Sequence, residues 1–243
     1  MESFTLLDNC PDASELIDYL HASAEIVRAR LARDLHDELG GLLVSAVMDV
    51  TFAEQALPID DRLRQRLARA RATLAAAIDL QRKTIETLRP SILDNFGLFE
   101  AVKWEVKQES RRTRIPCSEI YPAFEPAFSP DASIALFRVV QESLGVALRQ
   151  PGVKAVHIVL DIKGDSLRVG VKHDGQTSDK MLAQDDIFAT CSIAHRVRAL
   201  GGQMTVTAIP AGGASYNATL PLSGLTTKPR APGAKTADIV SAR

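Results

Sequence analysis

Cysteine is scarce in this sequence, and its placement excludes two classes of protein. Cys10, Cys117 and Cys191 are odd in number and far apart. They make neither a disulfide framework nor a metal-ligand spacing, which fits a reducing cytosol. Charge bias is missing too: Lys and Arg number 29 against 30 Asp and Glu, and no basic tract stands out. That balance argues against a nucleic-acid binder. No run approaches the roughly 18 apolar residues of a membrane span. The opening MESFTLLDNC lacks the basic-then-apolar layout of a signal peptide. No internal repeat is present. What the chain does have is 46% apolar residues over 243 positions, enough for a core and for one large or two modest domains. A cytoplasmic protein without a membrane span is expected.

The patterning divides the chain. Residues 12–89 read as almost wholly helical, with Pro11 and Asp12 suited to a helix start and LPIDD (57–61) as the one strong break before Pro90. Ile26, Leu31, Leu35, Leu39, Leu42, Ala46 and Val50 recur at helical spacing in the first segment. Leu63, Leu67, Ala70, Leu74, Ala77, Ile78, Ile85 and Leu88 do so in the second. Two long helices joined by a short turn predict an antiparallel hairpin with one apolar stripe left over. A second copy covers that stripe in a four-helix dimer, and the rest of the chain could also cover it.

From Pro90 the texture changes. IPCSEIYPAF and PAFSPDAS break the helical rhythm. SPDASIALFRVVQESLGVAL predicts a helix capped by Ser129 or Asp131. AVHIVLDIKGDSLRVGVKHDG and QMTVTAIPAGGASYNATLPL predict two β-hairpins, and SIAHRVRALGG a helix closed by glycine. The fold class expected is α+β: a helical hairpin, then helices on one face of a mixed sheet. The tail from Ser223 is polar and Pro-bearing and reads as disordered.

The stretch ARDLHDELGGLL (32–43) carries the chemistry. His36 sits about 100° round the helix from Leu35, at the edge of the apolar stripe or in water. A neutral imidazole is a nucleophile, Asp37 can orient the ring or take its proton, and Arg33 one turn back can attract a phosphate. Gly40 and Gly41 each cost a helix about 1 kcal/mol against alanine. They also clear side chains from a place where another protein could approach. A surface histidine among ordinary helix charges is the plain alternative on composition alone.

RARLARDLHDELG resembles the phosphoacceptor motif of two-component sensor histidine kinases, in the HDxxxQ subfamily that includes nitrate and nitrite sensors. TLRPSILDNFGLFEAV (87–102) resembles the segment that ends that subfamily's hairpin. LFRVVQESLGVALRQ (136–150) resembles the first helix of its ATP-binding domain, and VRALGGQMTVTAIPAGGASYNATLPL that domain's end. The resemblance runs from about residue 24 to residue 222 in the family's order. It implies a dimerisation and phosphotransfer hairpin over 12–98, after an extension at 1–11. A GHKL (Bergerat-type) α/β sandwich over 99–222 and a tail at 223–243 would follow. It implies His36 as phosphoacceptor, Asp37 as its activating base, and support from Arg33, Gly40 and Gly41.

The departures are equally specific. The family's water-positioning Gln falls at Gly41, which speaks against phosphatase activity. ATP and Mg²⁺ are implied as ligands, but the Asn expected four residues after Glu142 is Val146, which has no lone pair for a hard cation. His173 stands at the family's base-binding Asp, followed by Asp174 and Gly175; a one-residue shift would let Asp174 serve. Thr177 replaces the second glycine of that motif. Ala189 and Ser192 replace the glycines of a phosphate loop whose amides should face the nucleotide. Glu142 then reads as a solvated or capping charge and Arg196 as a structural partner.

The expectation is a homodimeric phosphorelay protein with a degenerate ATP site, in effect a pseudokinase, exchanging phosphate between His36 and response-regulator receiver domains. An ATP-dependent autokinase and a non-catalytic scaffold for a regulator or a partner sensor kinase are the alternatives. The short region before His36 offers no input domain, so sensing falls to a partner or to the ATPase-like domain.

Overall fold

The computed structural model describes residues 14–56, 60–176, 184–209 and 212–226. Pro11, Asp12 and Thr177, and the sequence-based expectations that rest on them, lie outside the described residues. The described chain divides into two compact units, one ending at Ala101 and one starting at Val102. The fold class is α+β.

The first unit is helical. α1 (Ser14–Asp34) runs through a single π turn, Leu35–Leu39, into α2 (Gly40–Ala56). α3 (Asp61–Leu88) begins where the Asp60 carboxylate accepts the Leu63 N–H at 2.7 Å, a cap worth about 1 kcal/mol. The helices are antiparallel: Arg71 pairs with Glu54 near the turn, and Gln81 meets Leu35 farther from it. α4 (Ser91–Phe96) follows Pro90. Glu86 accepts from the Ser91 N–H and hydroxyl, and Arg89 forks onto Asp94 at 3.1 and 3.2 Å. These contacts give the residues of LRPSILD a structural reason. Gly97, at φ +87, ends the short helix in a conformation that other residues avoid.

The apolar stripe of the first helix does not run as expected. Leu35 is half-buried, but Leu39 and Leu42 are 39% and 69% exposed. Ile26 and Leu31, ahead of the π turn, are exposed as well; for Leu39 and Leu42 the π turn is the reason. It inserts one residue, so the positions turned from solvent run Arg28, Ala29, Ala32, Leu35 and then Gly40, Leu43, Ala46, Val47, Val50, with a step of five between Leu35 and Gly40 where an α-helix has three or four. Along α1, α2 and α3 the buried residues described are Ala32 and Gln81. Large apolar side chains such as Leu20, Val27, Met48 and Phe52 are instead more than half exposed.

The second unit is a two-layer sandwich. α5 (Leu98–Thr113) belongs to it from Val102, followed by β1 (Cys117–Ile120) and α6 (Pro130–Arg149). Then come β2 (Val156–Lys163), β3 (Ser166–His173), α7 (Gln184–Ala199), β4 (Gln203–Ala208) and β5 (Ala214–Pro221). The sheet order is β1-β2-β3-β5-β4, with β1 parallel to β2 and every other pair antiparallel. β1 lies within IPCSEIYPAF, where the prolines had suggested only a break; as an edge strand of four residues it shows no alternation to read. The two hairpins and the Ser129 cap, which accepts the Ala132 N–H at 3.2 Å, stand as expected.

Period-two burial puts Val156, Ile158, Leu160, Leu167, Val169 and Val171 on the covered face with Tyr216, Ala218 and Leu220. Leu136, Phe137, Leu144 and Ile193 from the helices meet them. Each such side chain removed from water contributes about 1.5–3 kcal/mol. Of the tail expected to be disordered from Ser223, residues 227–243 lie outside the described residues. Leu222–Gly224 form a 3₁₀ turn, Leu225 is fully buried and its carbonyl accepts the Ser129 N–H, and Thr226 bridges Phe128. A buried Leu225 outweighs the polar composition around it. No described helix is long and apolar enough to cross a membrane.

Candidate functional site

His36, Asp37 and Glu38 all lie in the π turn, on the exposed side of the hairpin. The Gly40 N–H donates to the Leu35 carbonyl, five residues back instead of four. π turns inside α-helices are uncommon and gather at functional positions. Neither His36 nor Asp37 has a hydrogen-bond or ion-pair partner among the described residues, so both face outward uncommitted. Arg33 is exposed, but its Nε donates to the Ala29 carbonyl at 3.3 Å, which lays the side chain back along its own helix.

The two glycines have different reasons. A Cβ on Gly41 would meet nothing within 4 Å, so the surface beside His36 is open there. A Cβ on Gly40 would stand 3.0 Å from Nε2 of Gln81. That amide reaches across from α3 and donates to the Leu35 carbonyl. Gly40 therefore serves a contact inside the hairpin, where the sequence had suggested an approaching partner. Gln81 itself was missed. Its signal was a polar residue at stripe spacing between Ile78 and Ile85.

The second cluster is built from α6, the end of β3 and α7. Glu142 is half-buried and paired: its carboxylate accepts from Arg196 at 3.1 Å and from the Ser192 hydroxyl at 3.2 Å, which ties α6 to α7. Val146 is fully buried in the core. His173 is fully buried as well, and its Nδ1 accepts the Gly175 N–H at 3.2 Å. A neutral ring accepting at Nδ1 carries its proton on Nε2, and that nitrogen has no partner among the described residues. The site thus offers a donor where the family's Asp is an acceptor.

Asp174, the other candidate for that role, is bonded to backbone. Its Oδ1 accepts the backbone N–H of Lys154 at 2.8 Å and of Ala155 at 3.0 Å, which holds its carboxyl below the usual carboxylate range. Gly175 lies against Gln150, Pro151 and Val153 with no room for a side chain. Ala189 and Ser192 are not in a loop: both lie inside α7, whose turns use their amides. A hollow of about 430 Å³ opens over Gly170 between His157, Arg168, Lys172 and Asn217. Those residues point to the bare face of the sheet, opposite His173. His195, also buried, leaves both ring nitrogens without partners among the described residues.

Against Mg²⁺-ATP, then, the fit is poor. At the positions that the resemblance assigns to metal, base and phosphate stand a buried valine, an imidazole donor and continuous helix.

A family model described as histidine kinase (HisKA_3) matches residues 27–93. The chain is 24% identical over 199 residues to the signal transduction histidine-protein kinase/phosphatase DegS of Brevibacillus brevis, covering 81% of this chain and 51% of DegS. It is 27% identical over 196 residues to the sensor histidine kinase LiaS of Bacillus subtilis, covering 80% of this chain and 54% of LiaS. The sensor histidine kinase NarS of Mycobacterium tuberculosis is 28% identical over 204 residues, covering 82% of this chain and 46% of NarS. The chain spans about half the length of these curated relatives.

Burial holds the His173 imidazole below its ordinary value, and the Asp174 charge opposes this more weakly. Below about pH 6.5 the unfolded chain binds a proton here that the folded chain refuses. This part of the stability is therefore present above that pH and lost as pH falls toward the depressed folded value. The drop in melting temperature between about pH 7.5 and about pH 5.5 should be a few degrees smaller in His173→Gln than in the parent. Equal drops would mean that His173 contributes none of the pH dependence.

Proposed function

We propose, for a chain that belongs to the histidine kinase family of two-component systems, that it carries phosphate on His36 and exchanges it with the receiver domain of a response regulator. The carrying observation is His36 exposed in a π turn, with Asp37 beside it and open surface at Gly41. A lone-pair nitrogen of His36 attacks the phosphorus of the receiver's aspartyl phosphate. The N–P bond forms as the P–O bond breaks, and the aspartate leaves as a carboxylate. The ring's remaining proton passes to Asp37 or water. Reversal hands the phosphoryl group to a second receiver.

Incubation with a phosphorylated receiver should place an acid-labile label on this protein. His36→Gln should abolish the label with the fold intact, and Asp37→Asn should slow its appearance roughly a hundredfold, the low end for one acid-base group. A label that persists in His36→Gln places the chemistry elsewhere. A Cβ at Gly41 meets nothing within 4 Å, which makes Gly41→Gln an informative variant. A shortened lifetime of the phosphorylated receiver would assign the glycine to preserving the phosphoryl group, and weakened receiver binding would assign it to docking.

In this reading residues 12–98 form the phosphotransfer hairpin and 99–222 a GHKL-type domain whose ATP site has degenerated. Support comes from the Arg196–Glu142 pair, the buried Val146 and the committed Asp174. The names of the relatives favour the other reading, an ATP-dependent autokinase, and calorimetry separates the two. Mg-ATP should give no micromolar binding. Val146→Asn should not restore it and should cost about 1–3 kcal/mol of stability, because an amide enters a fully buried position. Micromolar affinity in the parent protein would turn the assignment to the autokinase.

The exposed apolar side chains of α1 and α2 support a homodimer closed through the hairpin. Light scattering should give about twice 26.3 kDa at micromolar concentration. Leu42→Glu with Phe52→Glu should shift that mass toward the monomer.

A further inference from the structure

We infer that Gln81 is a positioning residue for His36: its side-chain amide, seated in the notch that Gly40 leaves, holds the Leu35 carbonyl and with it the π turn that presents the imidazole. This rests on the reading of His36 as the phosphoacceptor, but its physical content is separate from that reading.

Three observations meet at one carbonyl. Of α3, Gln81 alone is buried, on a stripe otherwise made of leucine, isoleucine and alanine. A buried amide needs a partner, and this one donates to the Leu35 carbonyl. The same oxygen accepts the Gly40 N–H that closes the π turn, so both of its lone pairs are used. The third observation is the glycine: a Cβ there would stand 3.0 Å from the Gln81 amide nitrogen, so a larger residue would press the donor away from its acceptor.

The consequence for His36 is geometric. In uninterrupted α-helix the residues after Leu39 would rotate about 100° relative to those before it. Either His36 or the face of α2 packed on α3 would then be displaced. The π turn lets Leu35 and Gly40 both face α3 while His36 stays outward. Helix propensity resists this arrangement, since an extra residue is looped out and a glycine is retained. The amide of Gln81 acts against that preference from the neighbouring helix.

The test uses the full chain with two variants that attack the latch from opposite sides. Gln81→Met keeps length and volume but removes the donor. Gly40→Ala keeps the donor but fills its seat. Helix propensity alone predicts that Gly40→Ala is beneficial, and the latch predicts harm. Two rates are read: carbethoxylation of His36 by diethyl pyrocarbonate, followed by mass spectrometry, and transfer from a phosphorylated receiver. In both variants carbethoxylation should slow at least threefold and transfer at least tenfold, with circular dichroism and mass unchanged. The double variant should be no slower than Gln81→Met, because both changes break one contact. Carbethoxylation within twofold of the parent in both variants overturns the proposal. If the parent itself accepts no phosphate yet carbethoxylation slows as stated, the positioning role stands and the phosphoacceptor reading falls.

Discussion

The carbonyl of Leu35 accepts two hydrogen bonds, one from the Gly40 amide along the chain and one from the Gln81 side chain across it. That double use sets the register of the whole first helix. Ahead of it, Arg28, Ala29, Ala32 and Leu35 turn from solvent; after it, Gly40, Leu43, Ala46, Val47 and Val50 do. The step of five between Leu35 and Gly40 lets one helix keep the same neighbour on both sides of His36. It also leaves His36, Asp37 and Glu38 on the outside together.

The two units hold themselves together by different means. The sheet unit buries Phe137, Leu136, Leu144, Ile158 and Leu220 completely, and at about 1.5–3 kcal/mol each these side chains supply a core of its own. The three long helices of the other unit bury only Ala32 and Gln81 among their described residues, and show Met48 and Phe52 to water. Helices of that length draw most of their stability from a packed apolar face. The hairpin therefore has the composition of half an interface, consistent with a second copy supplying the rest.

In the sheet unit, groups that would be expected to receive a nucleotide are turned to internal use. Glu142 holds Arg196 and Ser192, Asp174 holds the amides of Lys154 and Ala155, and the stretch around Ala189 and Ser192 is helix. Both carboxylates make contacts that tie elements of the fold together. Stability and nucleotide binding draw on the same donors and acceptors here, and a carboxylate already bonded twice has less to offer a ligand.

Much of this was legible in the sequence by itself. Spacing of three and four residues marked the hairpin, alternation marked the two β-hairpins, and Ser129 marked the cap, because these depend on the local period of the backbone and on nearest-neighbour hydrogen bonds. The motif around His36 and the valine at position 146 were legible through their resemblance to a family pattern, which depends on residue type and spacing. Four features were not. β1 is too short to show a period, and Leu225 is buried in spite of the polar residues around it. Asp174 and Glu142 are committed to partners that lie 20 and 54 residues away in the chain. The register of the first helix depends on an amide 46 residues further on, at Gln81. Local sequence determines which elements form and what chemistry they carry. Only tertiary contact, by choosing which carbonyl meets which donor, decides where that chemistry faces.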